Sequence, residues 1–315
     1  MNHFTHALFR LPERAFVFTR PSIRRLALSA ALLLLTAAAA CGGDRGSPGG
    51  LVVVDDAGDT VRLAAAPRRV VSLIPATTEL LFAMGQGDRL VGRSEWCDYP
   101  AEAARIPSLG DGITPNLEAV LGARPDLVVL YHSGQNGAAA ARLRSLGIPA
   151  IRVRTDLLAD VPRLAALFGR LLDAGAAADS LTRRFEAELA AATVPPPSDP
   201  PSIFLLVWDQ PPMTVGNGSY LTELLQRAGG RNTYADLPTS SGQISVESAA
   251  ARDPDAILTS NAALPAFAGR PEWQVVRAVR ERRFVHAPGS EYSRPSPRAP
   301  EAIRRLAAQL AALPR

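Results

Sequence analysis

The chain has 315 residues, 47% of them hydrophobic and 20% charged, which provides enough apolar material for packed cores and excludes a disordered protein. Its length exceeds that of an average domain, so we expect two domains. The net charge of +4 lies within residues 1–41, which hold five arginines and one glutamate, and the remainder is neutral. A neutral body has no electrostatic footprint for DNA or RNA, so we expect no nucleic-acid partner.

The first 41 residues have the pattern of an export signal. Two arginines precede an apolar run over residues 26–35, which is too short to span a bilayer. Small residues then lead to Cys41, as in the lipobox of bacterial lipoproteins, where the cysteine becomes the lipidated first residue. The alternative is ordinary signal cleavage that leaves Cys41 unmodified. We expect an exported protein, in the periplasm or at the cell surface, that is anchored to the membrane through lipidated Cys41.

Strands and helices are predicted to alternate in the body of the chain. A β-type run over residues 70–74 ends at Pro75, and a helix follows it; another helix begins at Asn116, and a strand covers residues 127–131. This alternation predicts parallel α/β layering. Two further helices are expected over residues 161–172 and 176–192, the second about 25 Å long.

Two phrases recur in the same order in the two halves of the chain. The first is Thr-Glu-Leu-Leu-x-x-x-Gly, and the second places Pro-Asp seven residues after a glutamate. Their positions are Thr78 to Gly85 and Thr222 to Gly229 for the first, and Glu118 with Pro125-Asp126 and Glu247 with Pro254-Asp255 for the second. The repeat indicates one duplication, with about 15 additional residues in the first half that we place between residues 93 and 112.

The duplication and the central helices predict an α/β fold of two similar lobes. Their parallel-type sheets are joined by a long helical backbone, with a ligand cleft between the lobes. The predicted divisions are a signal peptide with lipobox, a flexible tether, an N-terminal lobe, the connecting helices and a C-terminal lobe (residues 1–41, 42–50, 51–160, 161–194 and 195–315).

Four stretches, residues 69–80, 94–100, 115–118 and 124–128, together with Ser296-Pro-Arg298, resemble the periplasmic cobalamin-binding proteins of BtuF type. These are helical-backbone solute-binding proteins of ABC importers for cobalamin, haem and ferric siderophores. The resemblance implies an extracytoplasmic protein that captures cobalamin or a related corrinoid and delivers it to the permease dimer of an ABC importer. A haem or ferric-siderophore receptor is the alternative. We expect a monomer with no cofactor, since cobalamin would be its transported ligand.

The resemblance also gives each repeated glutamate a role in docking. One carboxylate per lobe, Glu118 and Glu247, would contact arginines of the permease dimer. A pair of carboxylates related by a pseudo-two-fold axis independently suits a two-fold symmetric basic surface. The alternative is that each carboxylate is favoured only by the dipole at the start of its helix.

Ligand contacts are expected where strands end between the lobes. A corrin or porphyrin calls for aromatic planes and a few hydrogen-bond donors. The predicted ligand-binding residues are Trp96, Asp98, Tyr99, Tyr131, His132, Trp208, Tyr292 and Arg294. Core packing is the alternative for each aromatic residue, and a loop position without ligand contact is the alternative for His132. Residues 108–112 and 241–243 lack aromatic residues that the cobalamin binders carry there.

Sequence signals of catalysis or metal binding are missing. Residues 85–90 lack the third glycine of a dinucleotide loop, and the sequence contains no P-loop or nucleophile elbow. His132 and Ser133 are adjacent on an extended chain and therefore point to opposite faces. Only His132 and His286 lie in the body, too few for a zinc or manganese site. We predict neither an enzyme nor a metal site, with a cell-envelope enzyme as the alternative.

Overall fold

The structure is a computed structural model that describes residues 50–314. Cys41, the predicted signal peptide and nearly all of the predicted tether lie outside these residues. The described part begins with an antiparallel pair of strands, β1 (Leu51–Val54) and β2 (Thr60–Leu63). The Asp55 carboxylate closes their connection by accepting hydrogen bonds from the backbone N–H groups of Ala57 and Asp59, both at 2.9 Å. The sequence patterns did not predict this hairpin.

The first lobe contains a four-stranded sheet in which every neighbouring pair is parallel. Its strands are β3 (Val70–Ser72), β4 (Leu90–Arg93), β5 (Leu127–Tyr131) and β6 (Ala150–Val153), in the spatial order β4-β3-β5-β6. Its helices are α1 (Pro75–Ala83), α2 (Leu117–Gly122) and α3 (Gly134–Ser145). The first four residues of β5 are fully buried, as expected for a strand whose sheet is covered on both faces.

Two helices connect the lobes. They are α4 (Asp160–Leu171) and α5 (Gly175–Ala192), within about one residue of the predicted bounds. The 18 residues of α5 span about 27 Å. Phe168 of α4 and Phe185 of α5 belong to a single apolar core that contains strand residues of both lobes, such as Val70 and Ile203. No helix within residues 50–314 combines the length and apolar character needed to cross a bilayer.

The second lobe repeats the strand order of the first. Its strands are β7 (Ser202–Asp209), β8 (Pro212–Val215), β9 (Arg231–Asn232), β10 (Ser241–Gln243), β11 (Ala256–Thr259) and β12 (Phe284–His286). Its helices are α6 (Tyr220–Arg227), α7 (Val246–Arg252), α8 (Arg277–Arg280) and α9 (Ala299–Ala311). The parallel order β9-β7-β11-β12 matches β4-β3-β5-β6. The predicted fold class of two similar α/β lobes on a helical backbone is therefore confirmed.

The second sheet departs from the expected parallel arrangement at one end. Strand β7 is eight residues long, and after it the chain turns back into β8, which pairs antiparallel with β7 and with β10. The sheet is therefore mixed, because a hairpin extends β7 beyond its parallel neighbours.

The repeated phrases have matching structural roles in the two lobes. Gly85 follows α1 with φ +69°, and Gly229 follows α6 with φ +89°, so each glycine ends its helix in the left-handed region. The Asp126 carboxylate accepts hydrogen bonds from the backbone N–H groups of Arg68 and Arg69 just before β3, and Asp255 accepts one from Ser202 at the start of β7, all at 2.8 Å. Each Pro-Asp phrase therefore fixes the start of the neighbouring strand.

Replacing either helix-ending glycine by alanine should destabilise the protein. Gly85→Ala adds a methyl group that meets no other atom within 4 Å, so the cost comes from the left-handed backbone, about 1–2 kcal/mol. Gly122→Ala is the matched control, because this helical glycine also has open space around it but no left-handed φ, and alanine should stabilise it by about 0.5–1 kcal/mol. Urea unfolding measures both changes, and equal effects in the two variants would contradict the backbone explanation.

Candidate ligand-binding cleft

The exposed aromatic side chains lie at or shortly after the carboxyl ends of strands. Within residues 50–314, the exposed aromatic residues are Trp96, Tyr99, Tyr131 and Trp208. Tyr131 and Trp208 lie at the carboxyl ends of β5 and β7, and the other two lie on the segment after β4. The other described aromatic side chains are buried or partly buried. Exposed aromatic groups at strand ends, where parallel strands present their loops, are typical of a ligand surface.

The segment that carries Trp96 is anchored by a buried polar cluster. Cys97 is fully buried, and its Sγ lies 3.2 Å from the hydroxyl groups of both Thr78 and Ser94. The Thr78 hydroxyl also donates to Ser72 Oγ at 2.9 Å. These contacts hold the segment against the start of α1, so Trp96 can be 60% exposed on a backbone that is fixed.

Tyr131 and His132 end the neighbouring strand β5. The Tyr131 hydroxyl donates to Asp156 at 2.7 Å, and partial burial together with this carboxylate raises the Tyr131 pKa to about 12. The phenol is therefore neutral at ordinary pH. His132 is half-buried, and its Nδ1 atom is enclosed without a hydrogen-bond partner in residues 50–314.

Trp208 occupies the second lobe. It is 61% exposed near the end of β7, and its indole N–H donates to the backbone carbonyl of Gln210 at 2.7 Å. The bond folds the indole onto the β7–β8 hairpin, which fixes its orientation while leaving the ring accessible.

Tyr292 does not have the position expected for a ligand contact. Its side chain is buried and belongs to the apolar core that also contains Ile303 and Leu306 of α9. Burial raises its pKa above the ordinary value, with the Glu291 carboxylate adding to the effect. We therefore correct the expectation for Tyr292: the short 3-10 turn Ser290–Tyr292 directs the ring into the core.

Arg294 lies in a cluster of charged groups between the lobes. Glu79, in α1 of the first lobe, has a side chain that is only 1% exposed. Arg294 and Arg298 of the second lobe both contact it: Arg294 Nε at 2.8 Å, Arg298 Nη2 at 2.7 Å and Arg298 Nε at 2.8 Å. A buried carboxylate needs such partners to remain charged, so the contact couples the two lobes. The sequence patterns did not identify Glu79 or Arg298 as site residues.

Asp98 completes this cluster at its exposed edge. Its carboxylate pairs with Arg294 Nη2, and Arg294 Nη1 also donates to the backbone carbonyl of Trp96 at 3.1 Å. Partial burial disfavours the charged form of Asp98, but the hydrogen bond and charge of Arg294 outweigh it and lower the pKa. The Arg298 guanidinium lies 4.0 Å from the centre of the Tyr99 ring, within range of a cation–π contact. The two arginines therefore support the whole segment of residues 96–99.

The glutamate of the second Thr-Glu-Leu-Leu phrase also contacts the other lobe. Glu223 of α6 accepts a hydrogen bond from the backbone N–H of Leu158, just before α4, at 2.8 Å. Each copy of the phrase thus supplies a glutamate that contacts the other lobe. Glu79 pairs with two arginine side chains, whereas Glu223 accepts a hydrogen bond from a backbone N–H group.

The two docking candidates occupy equivalent positions. Glu118 and Glu247 are each the second residue of a short helix, α2 and α7, whose N-caps are Asn116 and Ser245. Both side chains are exposed, and neither forms an ion pair within residues 50–314. Hydrogen bonds from its own backbone N–H and from Ser245 lower the pKa of Glu247. Each helix precedes a parallel strand, so both carboxylates lie towards the edge where the strands end.

In both lobes the chain before the helix that carries Glu118 or Glu247 is hydrogen-bonded to a segment that bears an exposed tryptophan. In the first lobe, the Glu95 N–H donates to the Gly110 carbonyl at 2.9 Å, and Asn116 N–H donates to Leu109 at 3.3 Å. In the second, the Ile244 N–H donates to the Pro212 carbonyl of the hairpin at 2.9 Å, one residue before the Ser245 cap. The segments that carry the exposed tryptophans are therefore hydrogen-bonded to the chain that leads into these two helices.

Across residues 50–314, no three His, Cys, Asp or Glu side chains are grouped so that they could hold an ion.

The comparisons with known proteins agree with this geometry. The model of the family described as periplasmic binding protein matches residues 70–291. The chain belongs to this family. It is therefore a substrate-binding protein, and the predicted likeness to BtuF-type proteins is confirmed by the following relatives.

YvrC of Bacillus subtilis (strain 168), an uncharacterized ABC transporter substrate-binding lipoprotein, is 29% identical over 267 residues, covering 81% of this chain and 84% of YvrC. The crystal structure of the periplasmic vitamin B12-binding protein BtuF of Vibrio cholerae is 26% identical, with a TM-score of 0.65, covering 78% of this chain and 97% of that one. The structure of the periplasmic haem-binding protein BhuT in complex with two haems is 25% identical, with a TM-score of 0.69. The match covers 77% of this chain and 98% of BhuT.

The contact between Glu79 and the two arginines should contribute strongly to stability. Glu79→Gln removes the buried negative charge and leaves two guanidinium groups with less compensation, so we expect a loss of about 3–5 kcal/mol in the free energy of unfolding. Asp236→Asn is the matched control, because its partner Arg252 forms an exposed pair, and its loss should stay below about 1 kcal/mol. Chemical denaturation of both variants is the measurement; similar small losses would show that the buried cluster does not hold the lobes.

Proposed function

We propose that the protein captures cobalamin or a related corrinoid outside the cytoplasm and delivers it to an ABC importer. The observation that carries the proposal is the set of four exposed aromatic side chains at or shortly after strand ends, three in the first lobe and one in the second. A corrin is a broad macrocycle with apolar faces, and aromatic rings on two sides suit such a ligand. BtuF of Vibrio cholerae, which binds vitamin B12, has the same fold over nearly its whole length, and this supports the assignment.

Haem or a ferric siderophore is the second candidate ligand. The similarity to BhuT, which is described with two haems bound, favours it, as does the absence of aromatic residues at 108–112 and 241–243. His132 is the cleft histidine that could approach a haem iron, because it lies at the end of β5 beside Tyr131. The relatives are binding proteins, which supports a binding role over the alternative of a cell-envelope enzyme.

Membrane attachment and docking belong to the same proposal. Lipidation at Cys41 would anchor the protein at the outer surface of a membrane, and YvrC is itself described as a lipoprotein. Glu118 and Glu247 would contact basic side chains of the permease dimer as one carboxylate per lobe. We propose that the protein acts as a monomer, because a two-fold permease is matched by the two lobes of one chain.

Cyanocobalamin should quench the tryptophan fluorescence of the protein and give a calorimetric binding signal. The chain has three tryptophans; Trp96 and Trp208 are exposed, whereas Trp273 is buried against Phe204 and Phe267. Trp96→Ala and Trp208→Ala should each weaken binding by about tenfold or more, since exposed aromatic residues provide the anchoring contacts.

The control for this titration is Val52→Ala. It shortens an apolar side chain on β1 that is as exposed as Trp96 and Trp208. Its affinity should equal that of the wild type. No heat and no quenching at micromolar cyanocobalamin would refute the cobalamin assignment. If the two tryptophan variants bound as the wild type does, the ligand would occupy another surface.

The docking residues are tested by reversing both charges. Glu118→Arg with Glu247→Arg should abolish stimulation of the ATPase of the organism's reconstituted cobalamin importer, because like charges would then face each other. Ligand affinity should not change. The single variants should show partial loss, since each removes one of two equivalent contacts.

A second double variant controls for the added positive charge. Glu102→Arg with Glu272→Arg reverses one exposed glutamate per lobe, each in the first turn of a short 3-10 helix, and should leave stimulation intact. If both double variants stimulated the importer normally, Glu118 and Glu247 would be only helix-start residues.

A further inference from the structure

The two arginines that contact Glu79 across the lobes are fully compensated by carboxylates. Arg294 and Arg298 are paired with Glu79 and Asp98, which gives two positive and two negative charges. Glu291 adds a further contact to Arg298 at 2.7 Å, and it is itself paired with Arg305 at 3.2 Å. The cluster as a whole is therefore neutral.

The donor groups of the two arginines are also largely engaged. A guanidinium group has five N–H donors. Arg294 donates four hydrogen bonds to Glu79, Trp96, Asp98 and Ser290, and Arg298 donates four to Glu79, Glu291 and Ser290. One N–H of each arginine has no partner within residues 50–314, which is enough for a carbonyl oxygen but not for the bidentate fork that a carboxylate prefers.

Asp98 differs from the other members of the cluster in its exposure. Its side chain is 60% exposed, whereas the side chains of Glu79 and Arg294 are 1% and 13% exposed. In the chain it lies between the exposed Trp96 and Tyr99, and its partner Arg294 also donates to the Trp96 carbonyl, so the ion pair borders this aromatic surface. An anionic group placed there would face the Asp98 carboxylate and would have to displace it from the arginine.

We propose that Asp98 is a specificity-determining residue that makes the cleft accept a neutral macrocycle fringed by amides and reject one fringed by carboxylates. This inference rests on the proposed function, since it concerns the choice of ligand in the same cleft. Amide carbonyls accept the remaining arginine N–H groups, and amide N–H groups donate to Asp98. A ligand carboxylate would meet an arginine that is already paired and would be repelled by the Asp98 carboxylate beside it. This repulsion disfavours a ligand fringed by carboxylates.

The test compares cyanocobalamin, which is neutral and fringed by amides, with haemin, which carries two propionates. In wild-type protein, cyanocobalamin should bind more tightly than haemin. Asp98→Asn removes the negative charge and leaves the cluster with a net positive charge. The ratio of haemin affinity to cyanocobalamin affinity should therefore rise by about three- to tenfold, as for a partly exposed charge contact. The rise should shrink in high salt because the contact is screened.

Two further variants separate charge from structure. Asp98→Glu keeps the carboxylate and should retain the wild-type ratio. Asp236→Asn removes an aspartate that is paired with Arg252 and similarly exposed, and it should leave the ratio unchanged. Circular dichroism of each variant verifies that the fold is retained.

The outcomes distinguish this inference from the proposed function. If wild-type protein binds cyanocobalamin but Asp98→Asn leaves the ratio unchanged or lowers it, the inference fails and the proposed function stands. If wild-type protein binds haemin in preference, the cobalamin assignment and the inference both fail. Binding of neither ligand overturns the macrocycle proposal and the inference together.

Discussion

The buried carboxylate of Glu79 is the contact on which the geometry of the cleft depends. A carboxylate removed from water is stable only with charged partners, and both partners, Arg294 and Arg298, come from the other lobe. The same arginines hold the Trp96 carbonyl and the Tyr99 ring. One cluster therefore both joins the lobes and supports the exposed aromatic segment, so a change in one is expected to affect the other.

The duplicated and the unrepeated parts of the chain have different roles. The repeated phrases supply the scaffold: Gly85 and Gly229 end equivalent helices, and Asp126 and Asp255 hold equivalent strand starts. The cleft tryptophans lie instead on unrelated structures, a loop after β4 and the β7–β8 hairpin. Both structures nevertheless form hydrogen bonds with the segment that precedes the helix carrying Glu118 or Glu247. Two segments of different structure are thus hydrogen-bonded to equivalent parts of the two lobes, just before the helices that carry Glu118 and Glu247.

Sequence patterns predicted the fold well because the signals that define it are local. Alternating strands and helices, the two central helices and the repeat are all visible within short windows. Trp208 was expected at a strand end and Trp96 was taken from the family resemblance, and both side chains are exposed. Glu79 and Arg298 were missed because their contact joins residues 219 positions apart, which no local pattern encodes. Tyr292 was misassigned for a related reason: a short 3-10 turn decides whether its ring faces the cleft or the core.

The connection between the lobes also limits how the protein selects its ligand. Helices α4 and α5 share one apolar core with both lobes, and Glu79 and Glu223 add polar contacts across the molecule. With these contacts in place, we expect small rotations of the lobes on binding rather than wide closure. If the lobes move as little as expected, selectivity resides in a surface that is already formed, because little new contact arises on binding. An arginine pair whose charge is neutralised in advance is suited to that task, since it discriminates by charge without any change of shape.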